Sequence, residues 1–172
     1  VNIKHVFIGH GDSDKLASAH NLFKMYDSSF VAGDAHIDRF KRNNIELPDG
    51  YFYKVGRPNV ALKVSERQST GTVFDKKTVL YAPTWEGAHS DSSYSSVLVM
   101  MEQLLERLVA TGLRVVVRLH PFTGINDKAF TAKVDELKSK YKGDESIVFD
   151  SNSDIYQQMN ESDMLISDVS SV

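Results

Sequence analysis

Three consecutive valines, Val115–Val117, stand between Arg114 and Arg118, and the run closes on Leu119-His120-Pro121. β-Branched residues at successive positions suit a strand covered on both faces, which is the condition of a parallel sheet. Proline lacks the N–H that a ladder needs, so the strand stops there. Short apolar runs of this kind recur at 3–8, 28–32, 51–55, 78–82, 146–149 and 163–167, and each reads as a strand. Stretches of helical spacing lie between them. The pattern predicts a helix over 14–26 with Leu16, Ala19, Leu22, Phe23 and Tyr26 on one face. Asp34 is expected to cap a helix that turns Ile37 and Phe40 inward. The strongest helix is expected over 95–111, with Val97, Leu98, Met101, Leu104, Leu105 and Leu108 as its stripe and Gly112 at C′. A charged amphipathic helix is expected over 127–141 and a short one over 153–159. Strands alternating with helices imply an α/β fold with parallel sheets and right-handed crossovers.

Composition narrows the function. The 172 residues allow one domain or two small ones. With 41% hydrophobic residues there is material for a real core, which excludes a disordered tail. A formal charge of −3 lacks the basic surplus of a generic nucleic-acid binder. Cysteine is absent, so disulfides, zinc thiolates and cysteine nucleophiles are excluded. Apolar runs reach only about five residues, against roughly 18 for a membrane span. The start does not read as a signal peptide. No His/Asp/Glu set has metal-ligand spacing, and neither a dinucleotide fingerprint nor a Walker A motif occurs.

A polar, glycine-containing stretch around Ser65–Thr72 reads as a linker. It divides the chain into 1–58, a linker at 59–76, and 77–172. Chain start at Val1, and its stop directly after Ser170 and Ser171, read as the ends of a fragment, with a helix expected to follow Asp168-Val-Ser-Ser.

In open α/β sheets ligands bind beyond the carboxyl ends of the strands. The polar residues expected there are His10, Gly33-Asp34, Arg57, Thr84-Trp85, His120 and Asp168–Ser171. His10, with Lys15 five residues on, is either a proton-transfer group facing a crevice or a turn histidine that caps backbone groups. Asp12 and Asp14 are candidates to cap the next helix. His120 and Arg118 are expected on one face, where they would form a phosphate-holding pair; the alternative is a histidine hydrogen-bonded at a strand end. Asp168, Ser170 and Ser171 form either an anion site at a helix start or a plain N-cap. Trp85, the chain's one tryptophan, either stacks on a base or packs. His5, His20, His36 and His89 read as surface or structural residues, 86–94 as a polar, serine-rich loop, and 90–96 most simply as solvated.

Four stretches, taken in order, resemble the CDP-glycerol glycerophosphotransferase family of teichoic-acid polyol-phosphate primases and polymerases. They are His10-Gly-Asp-Ser-Asp-Lys15, Lys77-Thr-Val-Leu-Tyr-Ala-Pro-Thr-Trp-Glu-Gly87, Val117-Arg-Leu-His-Pro121 and Ser162-Asp-Met-Leu-Ile-Ser-Asp-Val-Ser-Ser-Val172. Phe30-Val-Ala-Gly-Asp34 and Val55-Gly-Arg-Pro58 also fit, so the likeness covers nearly the whole chain. The resemblance implies a GT-B fold made of two Rossmann-like halves, both incomplete here. Residues 1–58 would end the acceptor-side half, and 77–172 would form most of the donor half. It further implies transfer of glycerol phosphate, or a related polyol phosphate, from CDP-glycerol to a hydroxyl of a lipid-linked acceptor, releasing CMP, with no separate cofactor. His10 would be the general base and His120 would steady the donor pyrophosphate. Ser170 and Ser171 would hold donor phosphates, Asp168 would orient them, and Lys15, Thr84 and Arg118 would line the substrate site. The resemblance places the protein at the inner face of the cell membrane, with peripheral contact through parts outside this chain. The family often carries Thr-Pro after its His-Gly; here Asp12-Ser13 stands there. Two alternatives share the pattern: a GT-B glycosyltransferase or epimerase using a UDP-sugar, and a non-catalytic α/β binding module.

Overall fold

The computed structural model describes residues 3–9, 18–58, 76–88, 93–151 and 154–169. The chain separates into two compact units, one up to Glu66 and the other from Arg67 to Ser170.

In the first unit β1 (Val6–Phe7), β2 (Ser28–Val31) and β3 (Phe52–Lys54) form a parallel sheet in that order. The register sets Phe7 beside Ser29 and Ser29 beside Phe52, and this row faces inward. There Phe7 and Phe52 meet Phe23 and Phe40, with Phe7–Phe23 and Phe23–Phe40 edge to face at 4.7 and 4.8 Å. Such aromatic pairs stabilise beyond the area they bury. The alternate row, Val6, Phe30 and Tyr53, is exposed, and Phe30 and Tyr53 touch each other at 6.0 Å.

Two expectations change in this unit. The described part of the expected 14–26 helix is a 3-10 turn, Asn21–Met25, opened by His20, whose Nδ1 accepts from Leu22 N–H at 3.2 Å. Three residues per turn do not follow an α-helical stripe. Ala19 and Phe23 are buried while Leu22 and Tyr26 are exposed. Helix α1 (Asp34–Arg42) takes Gly33, not Asp34, as its N-cap. The Asp34 carboxylate lies in the first turn, where the helix dipole favours it, and pairs with Lys54 at 2.6 Å. His36 is buried and stacks on Phe40 at 5.8 Å.

The second unit is a four-stranded parallel sheet of order β6-β5-β4-β7, built from β4 (Thr78–Ala82), β5 (Arg114–Val117), β6 (Ile147–Phe149) and β7 (Met164–Ser167). Helices α2 (Met101–Ala110) and α3 (Lys128–Lys140) cover one face and α4 (Ile155–Glu161) the other. The valine run follows from this arrangement. Val115 and Val117 pack with Leu105, Phe130 and Leu137, whereas Val116 packs with Leu80, Ala82, Ile155 and Met159. Asp127 caps α3 and Asp154 caps α4, each accepting from a backbone N–H two residues on. Gly112 occupies C′ of α2 with φ +82°. Glu102 joins α2 to α3 through Lys133 and Lys140, and these hydrogen bonds, Lys133 first, hold its carboxyl at about 2.

Leu105 is fully buried at the centre of the larger core. Leu105→Ala is expected to cost about 3 kcal/mol through lost transfer energy and the cavity left behind. Chemical denaturation would show a lower midpoint at unchanged slope; a loss under about 1 kcal/mol would mean that the core collapses around the gap.

Two further expectations change here. Helix α2 begins at Met101 rather than 95, and Leu98 is exposed. Ser95 and Ser96 are tied to strand-end groups (Ser95 Oγ donates to Thr84 O at 2.7 Å), and 97–100 form turns in which Met100 and Met101 N–H share Ser96 O before the regular helix begins. Strand β7, expected to be buried, leaves Met164 and Leu165 exposed, because among the described residues it lies at the sheet's edge beside β4. No helix of the described residues is long and apolar enough to cross a membrane.

Candidate functional site

Strands β4, β5 and β6 run outward in sequence order, and β7 then returns to the other side of β4. The order reverses between β4 and β7, and at such a switch point connections leave in opposite directions and open a crevice beyond the carboxyl ends. Thr84 and Trp85 follow β4, His120 follows β5 and Asp168 follows β7, so these four converge on one edge.

Asp168 closes the gap between the strands. Its Oδ2 accepts from the backbone N–H of Thr84 at 2.9 Å and of Ser96 at 3.0 Å. One carboxylate oxygen thus fixes both the loop leaving β4 and the segment entering α2. Thr84 is 2% exposed, so its side chain is enclosed by this arrangement rather than turned to solvent. Tyr81 completes the lattice with its hydroxyl 2.6 Å from Ser96 Oγ. Burial pushes the Tyr81 phenol up to about 12, against the Ser96 hydrogen bond and with help from the Asp168 charge, so it stays protonated.

His120 stacks on Trp85, ring centroids 5.8 Å apart and planes within 18°, and Phe122 meets both rings edge-on. Phe122 N–H donates to His120 Nδ1 at 3.1 Å. A ring nitrogen that accepts carries a lone pair, so the neutral imidazole holds its proton on Nε2. The ring therefore presents an N–H donor from its far side.

Arg118 parts from His120. It lies on the Val116 side of β5, where its guanidinium donates to Gln158 Oε1 at 2.8 Å and sits 3.8 Å from Asp150. A guanidinium only 15% exposed is stable where carboxylate and amide oxygens meet it. The strand ends at Val117 and the chain then turns, so the two-residue alternation that would align Arg118 with His120 no longer applies. The expected Arg118–His120 pair is thus replaced by Arg118–Gln158–Asp150 on one side and His120–Trp85 on the other.

Sequence reasoning missed Glu86, which it left in a polar, serine-rich loop. The residue is 6% exposed. Its Oε2 accepts from Gly124 N–H at 2.9 Å, and its Oε1 from Asn126 and Asp127 N–H at 2.9 and 3.2 Å. Burial pushes the carboxyl up, but these donors and its own N–H outweigh it and hold it below the ordinary value. Gly124 explains how the turn comes so close: at φ +81° an added Cβ would lie 2.0 Å from Thr131 Oγ1. A glycine three residues before an N-capping aspartate was the available signal.

His10, Lys15, Ser170 and Ser171, with Asp12 and Asp14, lie outside the described residues, as does most of the 59–76 stretch. A separate polar cavity of about 160 Å³ lies under α4, lined by Thr78, Arg114, Asp150, Gln158 and Glu161 among others. It reaches the starts of β4 and β5, away from the edge that carries His120, and its size and polarity suit a few ordered waters. No group of three His, Asp or Glu placed to hold a metal occurs among the described residues.

Two-sided cover of a parallel sheet and a polar edge at its switch point make the second unit a Rossmann-like α/β unit, and the solved structures that share the fold are of the GT-B kind. The chain belongs to the CDP-glycerol:poly(glycerophosphate) glycerophosphotransferase family, whose model matches residues 12–172. Solved structures that share its fold include two of different activity. UDP-N-acetylglucosamine 2-epimerase from Rickettsia bellii is 13% identical, with a TM-score of 0.54 over 85% of this chain and 38% of its own. The wall teichoic acid polymerase TagF is 18% identical, with a TM-score of 0.52 over 87% of this chain and 36% of its own. The chain thus spans less than two-fifths of either protein. No curated protein matches it in sequence.

Proposed function

We propose that the protein of which this chain is part transfers glycerol phosphate, or a related polyol phosphate, from CDP-glycerol to a hydroxyl of a lipid-linked polymer, releasing CMP. The family match over 12–172 carries this reading. The acceptor oxygen attacks the phosphorus that bears the glycerol, and the bond to the CMP oxygen breaks. Charge builds on the leaving phosphate, and a fixed N–H donor aimed there lowers the barrier. His120 Nε2–H, with Nδ1 anchored to Phe122, suits that task. Trp85 walls the histidine on one face. Asp168 acts at one remove, because its Oδ2 is spent on the Thr84 and Ser96 amides. His10 is proposed as the base that takes the acceptor proton, and Lys15, Ser170 and Ser171 as donor-phosphate contacts. The division into an acceptor half, 1–58, and a donor half, 77–172, belongs to the same reading, as does a place at the inner membrane face.

Likeness to the epimerase fold keeps one alternative in view, a UDP-sugar as ligand. Calorimetric titration of the chain with CDP-glycerol, CMP and UDP-N-acetylglucosamine separates the two. Heat with both cytidine ligands and none with the UDP-sugar is the expected result. Selective binding of the UDP-sugar would move the assignment to the alternative, and no binding by a folded chain would leave it a non-catalytic module.

A further inference from the structure

We propose that Glu86 is the positioning residue that holds His120 and Trp85 in their stacked arrangement. Two consecutive residues of the β4 loop grip the same β5 turn from two sides. The Trp85 ring lies on His120 and Phe122 at the start of the turn. The Glu86 carboxylate binds the amides of Gly124, Asn126 and Asp127 at its end. Between these points the turn is chained by its own hydrogen bonds, Thr123 N–H to His120 O at 2.9 Å and Ile125 N–H to Phe122 O at 3.1 Å. Asn126 Nδ2 returns the grip by donating to Gly87 O at 2.9 Å. A buried carboxylate that accepts three backbone N–H groups allows little play, so the register of one loop on the other is set at Glu86. Capping of α3 does not account for it, because Asp127 performs that task on Ala129 N–H.

The functional meaning of this placement rests on the role proposed for His120, whereas its test does not. Trp85 is the chain's only tryptophan, so its emission reports on this stack alone. His120→Ala gives the emission of an unstacked Trp85. Glu86→Gln keeps the shape but turns an NH2 group toward backbone donors. It is expected to shift Trp85 emission most of the way to the His120→Ala value, and the double variant should show little further change. Residues that act as one unit give such non-additivity. Glu86→Asp, which keeps the charge but is one methylene shorter, should fall between wild type and Glu86→Gln, and it serves where Glu86→Gln does not fold. Leu105→Val supplies a destabilised control whose emission should stay at the wild-type value. A wild-type emission spectrum in Glu86→Gln and Glu86→Asp, or shifts that simply add to that of His120→Ala, would overturn the proposal.

Discussion

Replacing His120 with alanine is expected to lower the proposed polyol-phosphate transfer about 10²–10³-fold, the usual cost of one preorganised donor to a developing oxyanion. The fold should be nearly unaffected. The ring is only half-buried, and the hydrogen bond lost from Phe122 N–H lies at an exposed turn, where water replaces it. His120→Gln is the sharper variant. An amide can donate where Nε2–H does, but it lacks the flat face that lies on Trp85, so partial recovery would assign the effect to the donated hydrogen bond. The measurement is the rate of CMP release at saturating donor, beside the thermal midpoint. Wild-type turnover in both variants would remove His120 from the chemistry.

Asp168→Ala is expected to have the largest effect on stability within the site, about 3 kcal/mol. Two backbone N–H groups lose a charged acceptor at once, and hydrogen bonds to charged groups contribute about 1.5–3 kcal/mol each before water compensates. The damage should spread to Ser96 and thence to Tyr81, whose hydroxyl is 2.6 Å from it. Asp168→Asn keeps an acceptor oxygen in place and should cost less than half as much. Denaturation midpoints give the ranking, and amide exchange at Thr84 and Ser96 gives its location. Equal loss in the two variants would show that the charge, not the geometry, holds the loops. Fast exchange at Thr84 in the wild-type protein would show that the clamp does not form in solution.

The two carboxylates of the site were unequally visible in the sequence. Asp168 was singled out because it follows an apolar run, and strand ends are where polar residues gather in α/β sheets. Its role reads from the sequence as part of an anion site or a plain N-cap, since nothing in the order of residues says that Thr84 and Ser96 amides come within 3.0 Å of it. Glu86 was invisible for the same reason: its three partners lie 38 to 41 residues away. The β-strands of the second unit were legible because consecutive apolar residues have few other solutions. The start of α2 was not, because Val97 and Leu98 continue the helical spacing, yet 97–100 form turns with two N–H groups on Ser96 O and the regular helix opens only at Met101. The edge position of β7 depends on strand order, which periodicity does not encode.

The bare row Val6, Phe30 and Tyr53 on the first sheet bears on how this polypeptide behaves in a test tube. Among the described residues of this unit the parallel sheet is packed on one side, and its other side leaves an apolar surface that two molecules can share. Purified at high concentration, the chain is therefore expected to be a sticky colloid whose light scattering rises with salt. Polar replacements at Phe30 and Tyr53 would be the first step toward a sample that stays dispersed long enough for titration.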